Sequence, residues 1–101
     1  MLHAEPAQMA LARAVKNPQV VQRLGSPMRP GWFVTGNIHL NNDSGEADLE
    51  IPLIGQHGRA EIHVVAQKEF GRWHYKEMSV GSEDSDQVID LLAPEPGIGK
   101  R

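Results

Sequence analysis

The chain contains no cysteine, and it carries no excess of basic residues. The first absence excludes disulfides, thiolate metal ligands and cysteine nucleophiles. The second is a balance of 10 Lys and Arg against 13 Asp and Glu, with a net charge of -3. Because nucleic-acid binding requires clustered positive charge, we expect no nucleic-acid partner.

Long hydrophobic runs are absent as well. The best N-terminal run, 9–15, contains Arg13 and falls short of the ~20 apolar residues that a membrane-spanning helix needs. We expect the chain as given to be soluble and to reach a membrane only through an anchor that it does not contain. Its 101 residues predict one domain over 1–93, followed by a disordered tail over 94–101, where proline and glycine are frequent.

The middle of the chain repeats a strand-length pattern three times between Gly31 and Ala66. Apolar and polar residues alternate in each run, which predicts antiparallel strands with one dry face. In the first run this alternation places Trp32 and Gly36 on the dry face. We expect buried side chains at Ile38, Leu49, Ile51, Ile62 and Val64, and exposed ones at Asp48, Glu50, Glu61 and His63.

Turn positions predict the register of these strands. A loop at 55–58 sets Leu53 opposite Ala60, Ile51 opposite Ile62, and Leu49 opposite Val64. In the first hairpin we expect Ile38 opposite Leu49 and Gly36 opposite Ile51. Gly36 is then expected to leave room for a helix to approach the sheet.

The two ends of the chain complete the predicted fold. Asn17-Pro18 is expected to bend an N-terminal helix whose second part ends at Gly25. The apolar positions of its first part are Met9, Leu11, Ala12 and Val15. A fourth strand begins near Trp73 with a bulge near Lys76-Glu77, and a fifth covers 88–92. The fold class is α+β, a bent N-terminal helix on one face of a four- to five-stranded antiparallel meander.

One ordered set of motifs resembles a known family. From Asn17 to Leu92 the chain has N-P-x-V-V-x-x-L-G, a strand with a central glycine, G-x-A-x-L-x-I-P-L-x-G-x-x-G-x-A-x-I-x-V-x-A, G-x-W and V-I-D-L-L. This order resembles the cytochrome c oxidase assembly factor 1 family, which is related in fold to the intermembrane-space domain of a mitochondrial inner-membrane translocase subunit. We expect a bacterial member.

The resemblance implies a function without catalysis. Such domains are held at a membrane surface by an N-terminal helix that this chain lacks, on the periplasmic or intermembrane-space side. They assist the assembly of respiratory-chain proteins through contacts. We therefore expect a protein partner, such as a membrane protein of the respiratory chain.

Histidines raise the alternative of a metal or haem site. His39, His63 and His74 are expected on the polar face, where three imidazoles on neighbouring strands form a ligand set. However, the first and third strands lie two spacings apart, roughly 9–10 Å. Each histidine is also expected opposite a carboxylate, at Asp48, Glu50 and Glu69 respectively. We therefore expect charge pairs, with no metal and no cofactor, and we expect His3 and His57 in solvent.

Catalytic and calcium sites are not expected. The serines occupy turns, connections or a strand end, without a nucleophile-elbow sequence, so no enzyme is predicted. Glu83, Asp84 and Asp86 lack the regular spacing of a calcium loop. Arg13, Lys16, Arg23 and Arg29 give the first thirty residues a positive bias, which we interpret as a solvated helix face.

Two function classes remain. The first is a protein-interaction module that uses the sheet edge or the helix surface. The second is a carrier of a small apolar ligand or haem. A cavity of more than roughly 300 Å³ between helix and sheet, lined by Gly36, Trp32 and Trp73, would favour the carrier.

Overall fold

The fold is a single sheet with two helices, seen in a computed structural model that describes residues 4–82 and 85–92, with the backbone alone described at 85 and 86. The elements are α1 (Glu5–Lys16), α2 (Pro18–Leu24), β1 (Arg29–Pro30), β2 (Thr35–Asn41), β3 (Ser44–Ile54), β4 (Arg59–Glu69), β5 (Arg72–Ser82) and β6 (Ser85–Asp90). The α+β prediction is confirmed. The predicted tail over 94–101 lies outside the described residues.

The bend between the helices forms as predicted. Asn17 ends α1 and caps α2, since its side-chain oxygen accepts hydrogen bonds from the backbone N–H groups of Gln19 (2.9 Å) and Val20 (3.2 Å). Pro18 follows as the first helical residue, where a missing N–H costs nothing. Gly25 ends α2 with a positive φ of 82°.

The buried face of α1 differs from the predicted one. Pro6, Ala7, Ala10 and Ala14 are buried, whereas Ala12 and Val15 are exposed and Met9 and Leu11 only half-buried. The prediction was wrong for Ala12 and Val15, whereas Met9 and Leu11 pack against the margin of the core. Small alanines allow the helix to lie close to a sheet whose own Leu, Ile and Val side chains fill the space between them.

All strand pairs are antiparallel, in the order β1-β3-β4-β5-β6, with β2 also on β3. The pairs Leu53–Ala60, Ile51–Ile62 and Leu49–Val64 are confirmed. The bulge is confirmed too, because Val65 pairs with Glu77 and Ala66 with Tyr75, which leaves Lys76 unpaired. The fifth strand exists but covers Ser85–Asp90 rather than 88–92.

The first hairpin is shifted by two residues from the prediction. Ile38 lies opposite Ala47, and Gly36 lies opposite Leu49. The side chains keep their faces, because a shift of two preserves the alternation. Ile38 is half-buried rather than buried and packs at the margin of the core, since the main contacts of α1 are with β3, β4 and β5.

Gly36 has a different role from the expected one. Its φ is 123°, and a Cβ at this position would collide with the backbone carbonyl oxygen of Asp48 on β3. Glycine is therefore required by the close approach of two strands and by its own backbone conformation, not by the helix.

The core fills the space between the helices and one face of the sheet. Leu24, Leu49, Ile51, Ile62 and Met78 are 2% exposed or less. The molecule is 22 Å thick along its shortest axis, which corresponds to one helix layer and one sheet layer. The other face of the sheet carries no layer among the described residues, and we call it the outer face.

Candidate functional site

The outer face is strongly polar. The predicted exposure of Asp48, Glu50 and Glu61 is confirmed, while His63 is half-buried with 37% of its side chain exposed. Strand register places seven acidic side chains and three arginines on this face: Glu46, Asp48, Glu50, Glu61, Glu69, Glu77, Asp90, Arg29, Arg59 and Arg72. The face therefore has an excess of negative charge.

His63 bridges two carboxylates at the centre of this face. Its Nε2 lies 3.0 Å from Oδ1 of Asp48 on β3, and its Nδ1 lies 3.1 Å from Oε2 of Glu77 on β5. His63 does stand opposite Glu50, as predicted, but its polar contacts go to these two neighbours instead. A protonated ring satisfies both contacts, since it donates from both nitrogens.

Protonation of His63 is favoured by this arrangement. Burial, the largest single influence, lowers the pKa of His63, but the hydrogen bonds and charges of Asp48 and Glu77 together raise that pKa above its ordinary value of 6.5. Both nitrogens are occupied from opposite sides of the ring. Neither is left to coordinate a metal or to accept a proton from a substrate while both contacts persist.

The three polar-face histidines do not converge. His39 lies opposite Glu46 and His74 opposite Gln67, so the predicted partners Asp48 and Glu69 are wrong for both. The first difference follows from the two-residue shift of β2. Within the part of the chain that the structure describes, no group of three or more His, Asp and Glu side chains is arranged to hold a metal ion.

An outward bulge at one edge of the sheet exposes two aromatic residues. Four residues, 31–34, separate β1 from β2, whereas only two residues of β3 lie opposite them. The surplus pushes the chain outward, with the N–H of Gly31 still donating to the carbonyl of Pro52 at 2.9 Å. Trp32 and Phe33 are 90% and 61% exposed, and their ring centroids are 5.3 Å apart.

The bulge overturns one part of the sequence prediction. Trp32 was expected on the dry face with Gly36, but it borders the outer face. Alternation cannot be extended through a segment that departs from the strand. A Pro30-Gly31 pair directly before Trp32 is the signal that could have indicated the interruption.

A concavity of about 700 Å³ crosses the outer face beside this aromatic pair. We call it the outer groove; its lining includes Trp32, Phe33, Pro52, Glu61, Gly81 and Val88. Val88 is 64% exposed. Exposed apolar side chains lie at the two ends of the groove, and its charged and small lining residues lie between them. The groove could not be read from the sequence, because the bulge creates one of its walls.

The predicted carrier pocket is not where it was expected. The outer groove contains Trp32, but neither Gly36 nor Trp73 lines it. Between helix and sheet lie buried core side chains instead. Trp73 is half-buried, with the ammonium of Lys68 6.0 Å from its ring centroid, which is within the range of a cation–π contact.

Other candidate side chains have structural partners. Ser44 Oγ donates to the carbonyl of Asn41 at 3.0 Å in a turn. Arg13 Nη1 donates to the carbonyl of Leu91 at 3.3 Å, so this arginine ties α1 to the end of the sheet. His57 is exposed as expected, whereas His3 and the acidic loop residues Glu83, Asp84 and Asp86 lie outside the described side chains.

The hydroxyl of Tyr75 is buried and has no hydrogen-bond partner among the described residues. Burial foremost, and then the charge of Glu5, raise the pKa of Tyr75 above 10.0, while Arg13 opposes this rise. The hydroxyl therefore stays protonated at neutral pH and is not an activated nucleophile.

Comparisons with known proteins give one family. Searches of curated proteins and of solved structures find no match. None of the described helices is long and apolar enough to cross a membrane. A model of the family described as cytochrome oxidase complex assembly protein 1 matches residues 1–93, nearly the whole chain. The chain belongs to this family of cytochrome oxidase assembly factors.

Proposed function

We propose that this protein is a non-enzymatic interaction module that assists the assembly of cytochrome oxidase by binding a protein partner. Membership of the family supports the assembly role. The observation that carries the mode of action is the exposed pair Trp32 and Phe33 beside the outer groove. Large exposed apolar side chains next to a concavity are typical of protein-interaction sites.

The chemistry of the outer face supports binding rather than catalysis. His63 is held between Asp48 and Glu77, and Ser79 Oγ donates to Glu77 at 3.5 Å rather than to a histidine. In this arrangement a protonated His63 offsets the negative charge of the two carboxylates beside it. A nucleophile needs a free base beside it, which His63 does not supply while it contacts both carboxylates.

We also propose where the domain works. The partner is a membrane protein of the respiratory chain, and the domain stands at the membrane surface on the periplasmic or intermembrane-space side. The family description supports this placement, because cytochrome oxidase is itself a membrane complex. Membrane fractionation of the natural gene product, followed by protease treatment of intact spheroplasts or mitoplasts, tests it. Degradation in intact spheroplasts or mitoplasts is expected, and protection there would contradict the placement.

Removal of the gene tests the assembly role. We expect loss of assembled cytochrome oxidase from the membranes, measured as the haem absorbance and activity of the enzyme, with recovery on expression of the wild-type chain. Unchanged oxidase in the deletion strain would contradict the role.

Two conservative variants test the absence of catalysis. His63→Gln and Tyr75→Phe remove the ionisable groups while keeping side-chain volume, and both are expected to restore the oxidase. A folded His63→Gln protein that fails to restore it, despite normal binding of the partner, would favour an enzyme.

A further inference from the structure

We propose that the outer groove binds a basic amphipathic helix of the partner protein. This inference rests on the proposed function and specifies the chemistry of the segment that the domain recognises. Three observations support it: the charge of the outer face, the length of the outer groove between its apolar ends, and the hydrogen bonds that already pair the backbone of the strands beneath it.

Charge selects a basic partner. Glu50 and Glu61 line the outer groove together with Arg59 and His63, and the whole outer face has seven acidic side chains against three arginines. If the bulged Lys76 and a protonated His63 are added to the cations, acidic side chains still outnumber them by seven to five. A segment with Lys or Arg on its flanks is attracted by this field, and an acidic segment is repelled.

The length of the outer groove fits a short helix. It runs from Trp32 and Phe33, beyond the edge of β3, across β4 and β5 to Val88 on β6. Four strand spacings of ~4.8 Å give about 19 Å. A helix rises ~1.5 Å per residue, so about 13 residues cover this distance. Apolar side chains at its two ends then contact the aromatic pair and Val88.

The backbone of the sheet favours a helix over an extended segment. The outer groove lies on the face of paired strands, where the N–H and C=O groups already bond to neighbouring strands. An extended peptide lying there would leave its own backbone groups without protein partners. A helix satisfies these groups internally and needs only side-chain contacts.

The edges of the sheet offer a competing mode. On the β6 side, Arg23 of α2 donates to the carbonyl and side-chain oxygens of Gln87 at 3.3 and 3.0 Å and so occupies part of that edge. On the other side, β3 is the single strand neighbour of β2 among the strands that the structure describes. An extended peptide would therefore add to β2, away from the outer groove, and the two modes are separable by experiment.

Binding of labelled peptides to the purified chain tests the proposal. The probes are a helix-forming Leu/Lys peptide of about 14 residues, its Leu/Glu counterpart, and the same Leu/Lys peptide with one central residue replaced by proline. Fluorescence anisotropy is measured at low and moderate salt. We expect the helical basic peptide to bind saturably, more weakly as salt rises, and at least about tenfold tighter than the other two.

Variants locate the site. Glu50→Gln with Glu61→Gln, and separately Trp32→Ala with Phe33→Ala, are each expected to weaken binding about tenfold, the equivalent of ~1.4 kcal/mol. Phe70→Ala is the matched control, since Phe70 is a 92% exposed aromatic residue that does not line the outer groove. Unaltered melting temperatures show that the variants are folded.

The contrary results test the charge, the helical conformation and the location of the bound segment separately. Equal binding of the acidic peptide contradicts the charge argument, tighter binding of the proline peptide contradicts the helix, and a Phe70→Ala effect equal to that of Trp32→Ala with Phe33→Ala contradicts the location. A second copy of this chain as occupant would appear as a dimer in sedimentation equilibrium that the same double variants dissociate, and it too would overturn the proposal. In cells, oxidase restored by both double variants refutes the outer groove, while oxidase unaffected by deletion refutes the proposed function itself.

Discussion

Replacement of Ile62 by alanine is expected to destabilise the fold strongly. Ile62 is fully buried at the middle of β4, opposite Ile51 on one side and Val80 on the other. The change removes three carbon atoms, and ~0.8 kcal/mol per buried CH₂ gives about 2.4 kcal/mol for transfer alone. The cavity left behind adds to this loss, and measured Ile→Ala changes cost about 2–5 kcal/mol.

The surroundings place Ile62→Ala in the upper half of that range. The helix face above the sheet includes Ala7, Ala10 and Ala14, which have no flexible side chain that could turn into the space. We therefore expect a loss of about 3–5 kcal/mol. Urea unfolding followed by circular dichroism measures it as a lowered midpoint with an unchanged slope.

Two matched variants make this prediction refutable. Ile62→Val keeps most of the volume and is expected to cost about 0.5–1.5 kcal/mol. Val88→Ala changes a 64% exposed position and is expected to stay within about 0.5 kcal/mol of wild type. A loss below about 1 kcal/mol for Ile62→Ala, or a larger loss for Val88→Ala, would show that the assignment of the two faces is wrong.

Three further predictions follow from particular positions. The pKa of His63, followed by NMR, is expected above 6.5, and a raised pKa in the folded state stabilises the fold at a pH below about 6.5. The loss of stability caused by Glu77→Gln should therefore be largest at about pH 5.5 and should shrink as the pH rises through the folded-state pKa. A loss that does not change with pH would refute the bridge between His63 and Glu77. Gly36→Ala is expected to cost more than Gly71→Ala in thermal melts, because both have positive φ but only Gly36 has a neighbouring carbonyl where a Cβ would lie; equal losses would contradict this. Asn17→Ala is expected to cost about 1 kcal/mol through loss of the helix cap, and Asn17→Asp should recover most of it.

Sequence patterns predicted most of the sheet because local rules decide it. The loop at 55–58 and the alternation around it fixed the register of β3 and β4, and Asn17-Pro18 marked the bend of the helix. The bulge near Lys76 was visible as a break in the two-residue period. In each case the information lies within a few residues.

The candidate site escaped prediction because tertiary placement decides it. The alternation of the sequence placed Trp32 on the dry face, but the chain leaves the sheet at this residue and its side chain is exposed. The partners of His63 depend on side-chain directions across three strands, since Asp48 and Glu77 are not its direct register partners. The helix face was misjudged because close packing selected alanines rather than the largest apolar residues.

Site-specific photo-crosslinking in cells shows which surface of the protein contacts cytochrome oxidase. A photoreactive phenylalanine analogue is placed at one of three surface positions: Phe33 in the outer groove, Phe70 in the turn between β4 and β5, or Val15 on the exposed side of α1. We expect an adduct from Phe33, identified by mass spectrometry as a cytochrome oxidase subunit and joined through a basic helical segment. An adduct of that subunit from Phe70 or Val15 but not from Phe33 would contradict it.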